Sequence, residues 1–312
     1  CRRLSPPLRR RSCIAAARAR RLESAINSIH AHARGTGLRN RRLNLGRGKM
    51  NYEFQDILYT VAGGVATITI NRPQKMNSVT AETMRELEIA FDAAGNDPEV
   101  GVVVFTGAGD KAFCAGADVS WQKEGRMGRG GPAMFSPPYL MISRCPKPVI
   151  ARVNGYAIGG GRHFAYFCDF TIAAEHAVFG QSEPRVAYPA SGPTVNYLTR
   201  IIGHKRAREI WMLGRRYSAQ KMLEWGLVNA VVPLAALDQE VAKWCDELLA
   251  VSPTCLKVYK ASFIEEFQDL MGQGDLLRRL LVPPSFRETE QREGTSAFLE
   301  KRRPDYSRFR KP

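Results

Sequence analysis

KPVIARVNGYAIGGG (147–161), continuing as RHFAYFCD (162–169), is the stretch that decides how this chain folds. PVIARVNGYA (148–157) has the apolar, β-branched character of a buried strand. The run Gly159-Gly160-Gly161 then opens into an apolar stretch of helical character, and FTIAA (170–174) reads as another strand. A strand, a glycine turn, a helix and a second strand imply a layered α/β core. The start of a helix presents free backbone N–H groups and the positive end of its dipole, which favours a negative oxygen. Glycine there lets a ligand approach the backbone closely. Three glycines alone are weak evidence, because most such runs mark tight turns. A P-loop is excluded by the missing G-K-[ST] ending, and a dinucleotide loop by the missing G-x-G-x-x-G.

Working outward, VGVVVFTG (100–107) predicts a fully buried strand, followed by a second glycine loop, AFCAGADVS (112–120). Residues 57–71 predict a hairpin turning at Ala62-Gly63-Gly64. Thr80 is suited to cap a helix whose apolar side is Met84, Leu87, Ala90, Phe91 and Ala94, stopped by Gly95-Asn96-Asp97-Pro98. From about residue 192 the pattern is mostly helical. Helices are expected at Lys205–Leu213, Ser218–Trp225, Leu237–Ala250, Cys255–Met271 and Thr289–Lys301, with one short strand, LVNAVVP (227–233). The body therefore divides into a core over 50–200 and a helical C-terminal module over 201–312. WQKEGRMGRGGPAMFSPPYL (121–140) is Gly/Pro-rich and is expected to be a mobile pocket wall.

The 312 residues carry a formal net charge of +16, which resembles a nucleic-acid or membrane signal until its distribution is read. Residues 1–49 hold 14 of the 46 Lys and Arg against one acid, Glu23, so that segment carries +13 and residues 50–312 only +3. This Arg-, Ala- and Ser-rich extension has three open origins: translation from upstream of Met50, an organellar transit peptide, or a functional basic tail. In each case the fold is expected to start near Met50, in the cytoplasm or, with a transit peptide, in the mitochondrial matrix. No stretch approaches the roughly 18 consecutive apolar residues of a membrane span. The seven cysteines form no C-x-x-C pair, which argues against both a zinc site and a disulfide framework. They read as buried thiols in a reducing compartment.

The ordered motifs I-N-R-P (70–73), A-F-C-A-G-A-D (112–118), K-P-V-I-A-x-V-N-G-Y-A-x-G-G-G (147–161) and F-G-Q-x-E (179–183) resemble the crotonase superfamily, the enoyl-CoA hydratases and isomerases. The likeness runs from about Phe54 to the family-like E-G-x-x-A-F-x-E-K-R (293–302). It implies an α/β spiral of ββα units with C-terminal helices that build a homotrimer, often a dimer of trimers. It implies no separate cofactor, since coenzyme A enters as the substrate thioester. It implies an oxyanion hole formed by the backbone N–H groups of Ala117 and Gly160, where two preorganised donors stabilise an enolate. Around them, Ala115, Gly116 and Asp118 of one loop and Tyr156, Ala157, Ile158 and Gly159 of the other would line the thioester. Arg72, Lys75 and Lys301 are candidates to meet CoA phosphates, although exposed cations are more often simply solvated.

The acid–base positions depart from the family. Hydratases use two glutamates; the first position is His163 here, and the second is retained as Glu183. A histidine is able to hold water or move a proton near neutral pH, or it is merely a satisfied core residue. Residues 201–249 and EKRRPDYSRF (300–309) are similar to the branch containing 1,4-dihydroxy-2-naphthoyl-CoA synthase and 2-ketocyclohexanecarboxyl-CoA hydrolase. That branch's catalytic Ser and Asp are absent, Tyr188-Pro189-Ala190 standing there instead, with Tyr188 a candidate wall of the acyl pocket. The expectation is an acyl-CoA enzyme that adds water to, or removes it from, an unsaturated acyl group, with cyclic ones included by the resemblance to that branch. Ring cleavage of a β-keto thioester and double-bond isomerisation stay open. RNA binding through the basic extension is the rival of another class, weakened by that extension's doubtful origin.

Overall fold

Gly63 and Gly64, at φ 57° and 81°, turn the chain between β1 (Ile57–Ala62) and β2 (Val65–Ile70), which pair antiparallel from Ile57↔Ile70 to Ala62↔Val65. Positive φ at both turn positions matches the twist of a two-residue hairpin. Alternation along β2 buries Ala66, Ile68 and Ile70 completely. The computed structural model describes residues 53–118, 138–190, 192–268, 282–306 and 309. The basic extension over 1–49 and most of the expected pocket wall over 121–140 lie outside these. Among the described residues, no helix is long and apolar enough to cross a membrane.

Helix α1 (Ala81–Asn96) begins with a capping box: Thr83 N donates to Thr80 Oγ1 (3.3 Å) and Thr80 N to Thr83 Oγ1 (3.1 Å). It buries Leu87, Ala90, Phe91 and Ala94 against the sheet. Strand β3 (Val102–Gly107) is buried along its whole length because both faces are covered. Val103 and Phe105 enter the main core, where Phe105 meets Phe91, Phe113 and Phe164 edge-on, each at 5.4 Å between ring centres. Val102 and Val104 join a second core with Ile150, Ile172, Leu237 and Val241.

Three strands of the long sheet each hand the chain to a short one in a second sheet. Strand β3 leads to β4 (Ala112–Cys114), β5 (Val149–Val153) to β6 (Tyr156–Ile158), and β7 (Phe170–Ala174) to β8 (Val178–Gly180). With β9 (Arg216–Ser218) and β10 (Ala230–Val232), the sheets run β1-β2-β3-β5-β7-β10 and β4-β6-β8-β9. Helices α2 (Pro138–Arg144) and α3 (Gly160–Phe167) complete the ββα units. The strand expected over 148–157 is thus two strands in two sheets, broken at Asn154-Gly155. The reason is a corner. Asn154 Nδ2 donates to the carbonyls of Gly107 (2.8 Å), Gly109 (2.5 Å) and Ala112 (3.3 Å), and a Cβ on Gly155 would run into the Lys111 carbonyl.

The remaining α-helices among the described residues are α4 (Pro193–Ile202), α5 (His204–Leu213), α6 (Ala219–Glu224), α7 (Leu237–Leu249), α8 (Pro253–Gln268) and α9 (Glu290–Leu299). Ser218, expected inside a helix, is the N-cap of α6 and accepts from Lys221 N. Residues 269–271 of the helix expected over 255–271 lie outside the described residues. Helix α7 covers the outer face of the long sheet with Leu237, Val241 and Cys245. Helix α8 is tied down by Lys260, only 6% exposed, whose Nζ donates to Asp169 Oδ2 (2.7 Å) and Lys147 O (2.9 Å). Cys114, Cys145, Cys168 and Cys245 are buried as expected, but Cys255 is exposed because it sits on the outer side of α8.

Asn154 is fully buried, and its loss would take the side-chain donor from the carbonyls of Gly107 and Gly109, while Ala112 O would keep Asn77 Nδ2. Asn154→Ala is expected to cost about 2–3 kcal/mol of unfolding free energy, measured by chemical denaturation.

Candidate active site

The two glycine loops meet back to back at the end of the short sheet. In the first, Val79 N donates to Gly116 O (2.8 Å) and Asp118 N to Val79 O (2.9 Å), so Ala117 is held flat between two strapped neighbours. Gly116 adopts φ 90°, and an added Cβ would lie 2.9 Å from Ile158 O and 3.2 Å from Gly160 N. In the second loop, Gly159 at φ 55° is the N-cap of α3, and its N–H donates to Gly180 O (3.0 Å). The three glycines have separate duties. Gly159 faces Glu183, Gly160 faces Gly116, and Gly161 presses on the Cys114 carbonyl. Among the described residues, neither Ala117 N–H nor Gly160 N–H finds a protein acceptor. The result is two backbone donors on rigid, abutting turns.

Glu183 lies directly across Gly159, where a Cβ would stand 3.3 Å from its Oε1. The carboxyl is 7% exposed, Oε2 has no hydrogen-bond partner among the described residues, and burial pushes its pKa up to about 7. The loop carrying it is held from the C-terminus: Tyr306 donates its hydroxyl to Arg185 O (2.7 Å), while Glu293 accepts from Asp305 N (2.8 Å) and from Arg302. His163, on the first turn of α3, places Nε2 3.3 Å from Glu183 Oε1. Its ring lies between Trp211 (5.4 Å) and Tyr166 (5.6 Å). Burial, with the neighbouring Arg162 charge, pulls its pKa down to about 3, so the imidazole is neutral. Gln181 Nε2 sits 2.8 Å from His163 Nε2, and Gln181 Oε1 accepts from Arg162 Nη1 at 2.9 Å.

The structure therefore brings Ala115, Gly116, Ala117, Ala157, Ile158, Gly159, Gly160, His163 and Glu183 into one locus. Tyr188 is half-buried and its N–H returns to Glu183 O (2.9 Å). Tyr156 is exposed, with Arg216 over its ring at 5.7 Å. Arg72 is engaged within the chain, 3.4 Å from both Asp56 and Asp118, whereas Lys75 and Lys301 are exposed. Cys114 is a packing residue: burial pushes its thiol up to about 12. Sequence reasoning missed Arg162, Trp211 and Tyr166, and quoted Gln181 without a role. The available signal was a lone charge inside the apolar run GRHFAYF (161–167).

Residues 60–309 match the family described as Enoyl-CoA hydratase/isomerase. An enoyl-CoA hydratase from Bacillus anthracis superposes with a TM-score of 0.61 at 32% identity, over 81% of this chain and 99% of that one. A carnitinyl-CoA hydratase from Mycobacterium avium gives 0.67 at 29% identity, over 82% and 100%. An enoyl-CoA hydratase from Mycobacterium avium subsp. paratuberculosis K-10 gives 0.67 at 27%, over 82% and 100%.

Two stability tests follow from this geometry. Gly63 and Gly116 both have positive φ, but only Gly116 has atoms within 4 Å of an added Cβ. Gly63→Ala should cost about 1 kcal/mol of backbone strain and Gly116→Ala about 2–3 kcal/mol, compared by denaturation. The second test uses pH. A buried acid raised from 4.5 to about 7 removes stability as pH rises through that window. His163, lowered from 6.5 to about 3, adds stability as pH rises through its own window. The two slopes oppose each other where they overlap. Relative to wild type, Glu183→Gln is expected to leave stability climbing between about pH 4.5 and 6.5, by up to about 1.4 kcal/mol per pH unit.

Proposed function

Because the chain belongs to the enoyl-CoA hydratase/isomerase family, we propose that it adds water to, or removes it from, an unsaturated acyl-CoA, with Glu183 as the sole proton carrier. The observation that carries this reading is the buried Glu183 carboxyl packed against Gly159, next to the free Gly160 N–H. In the addition direction, ionised Glu183 takes a proton from water as the water oxygen bonds to Cβ. The double-bond electrons move onto the thioester oxygen, and the N–H groups of Ala117 and Gly160 hold that enolate. The carbonyl then re-forms as Cα takes the proton back from Glu183. One water is consumed and the carboxylate is regenerated. Two such donors are each worth about 10²–10³ in rate. No second carboxylate is needed, which suits a site where the other position is neutral His163.

The likeness of the C-terminal half to ring-opening and ring-closing enzymes is the reason to include cyclic acyl groups among the substrates. A second reading, double-bond isomerisation, is favoured by the same single carboxylate, which would carry a proton from one carbon to another. A homotrimer belongs to the proposal as well. Met212 on α5 and Phe263 on α8 are 71% and 70% exposed, apolar surface that such an assembly would cover. Sedimentation as a monomer would remove that element.

Turnover is read from loss of the conjugated enoyl absorbance of crotonyl-CoA. Wild type is expected to remove it and Glu183→Gln to lose at least about 10² in rate. An inert wild type would overturn straight-chain hydration. Because Glu183 must start ionised, kcat/KM is expected to rise with pH and level off above about 7, the value to which burial raises this carboxyl. A rate that falls across the same range would exclude Glu183 as the initial base.

A further inference from the structure

We infer that Arg162 is a positioning residue whose guanidinium orients the Gln181 amide, and through it fixes His163 as the neutral ring protonated on Nδ1 beside Glu183. The inference deepens the enolate reading and rests on it for its kinetic consequence alone. A guanidinium has donors and no acceptor, so the 2.9 Å contact from Arg162 Nη1 obliges Gln181 to turn its oxygen inward. The Gln181 amide nitrogen then faces His163 Nε2 at 2.8 Å. An amide nitrogen only donates, so His163 Nε2 must accept, and the ring proton of the neutral form resides on Nδ1. An imidazolium would set two donors against each other.

This orientation has a chemical use. The lone pair of His163 Nε2, 3.3 Å from Glu183 Oε1, is already occupied by Gln181. The proton that Glu183 takes up is therefore not drained onto the imidazole and remains available to return to carbon. Stability does not explain Arg162. It is 0% exposed, its Nε and Nη2 have no hydrogen-bond partner among the described residues, and burial lowers it only to about 10, so it stays charged. A buried cation with one hydrogen bond is costly relative to an apolar residue of similar size. Several other groups face the pair. Tyr166 comes from α3, Ser182 from the Glu183 loop and Tyr197 from α4. From β9 comes Tyr217, whose hydroxyl is 3.2 Å from Glu209 of α5. None of these is a cation, and Arg162 supplies positive charge to Glu183.

The test uses the full chain with its histidines labelled with ¹⁵N, the His163 signals being assigned among the five by their loss in His163→Asn. Long-range ¹H–¹⁵N spectra between pH 5 and 9 are expected to show wild-type His163 protonated on Nδ1 only and not titrating. In Arg162→Met and in Gln181→Leu, the expected result is appearance of the other tautomer, or titration moving up toward about 6.5. With turnover, Arg162→Met is also expected to raise the midpoint of the pH–rate profile by about one pH unit. It should lower kcat about tenfold with KM little changed. An unaltered His163 tautomer in both variants, or in Gln181→Leu alone if Arg162→Met does not fold, overturns the inference. The spectra need no turnover, so an inert wild type counts against the acyl-CoA reading and leaves this one to be decided by the tautomer.

Discussion

The corner between the two sheets is the constraint on which the rest of the structure depends. Two buried carboxamides hold it. Asn154 Nδ2 reaches Gly107, Gly109 and Ala112, and Asn77 Nδ2 reaches Ala108 O (3.0 Å) and Ala112 O (2.7 Å). The Ala112 carbonyl, at the start of β4, accepts from both. Gly107 and Gly155 stand where the backbones pass too closely for any Cβ. Each of these buried side chains donates to carbonyls at the turn, which helps the chain leave a parallel sheet without stranding polar groups. Once the chain turns there, β4 and β6 pair in parallel, and the loops that follow them arrive side by side.

That side-by-side arrival makes the site dry as well as close. The same burial acts in opposite directions on its two titratable groups, raising Glu183 and lowering His163, because desolvation always penalises the charged form. A carboxyl near 7 is suited to taking and returning a proton at neutral pH. The neutral ring beside it contributes shape rather than charge. Arg162 is the balancing element, supplying positive charge from the far side of Gln181.

Much of this was legible from residues alone where local rules suffice. The hairpin at Gly63-Gly64, the Thr80 cap, the buried run of β3, the strand over 170–174 and most C-terminal helices followed from periodicity, capping and turn chemistry. Glu183 was singled out only through the resemblance of F-G-Q-x-E (179–183) to the family, and the glycines marked two loops without showing that they abut. Less legible were the short strands β4, β8 and β9, three residues each, too brief for any alternation to register. The break inside 148–157 was hidden because Asn154-Gly155 turns into a second sheet rather than back along the first.

The sequence by itself determined where backbone could bend and which segments were buried, and its resemblance to the family marked His163 at the first of two glutamate positions with Glu183 kept at the second. Those properties are carried by single residues and their near neighbours. Only the tertiary structure decided the burial of His163 beside Glu183, the engagement of Arg72 with Asp56 and Asp118, and the burial of Arg162 behind Gln181. Each of these is set by groups distant along the chain meeting in a medium that excludes water. Neither their distances nor their desolvation exists until the sheets have closed on one another.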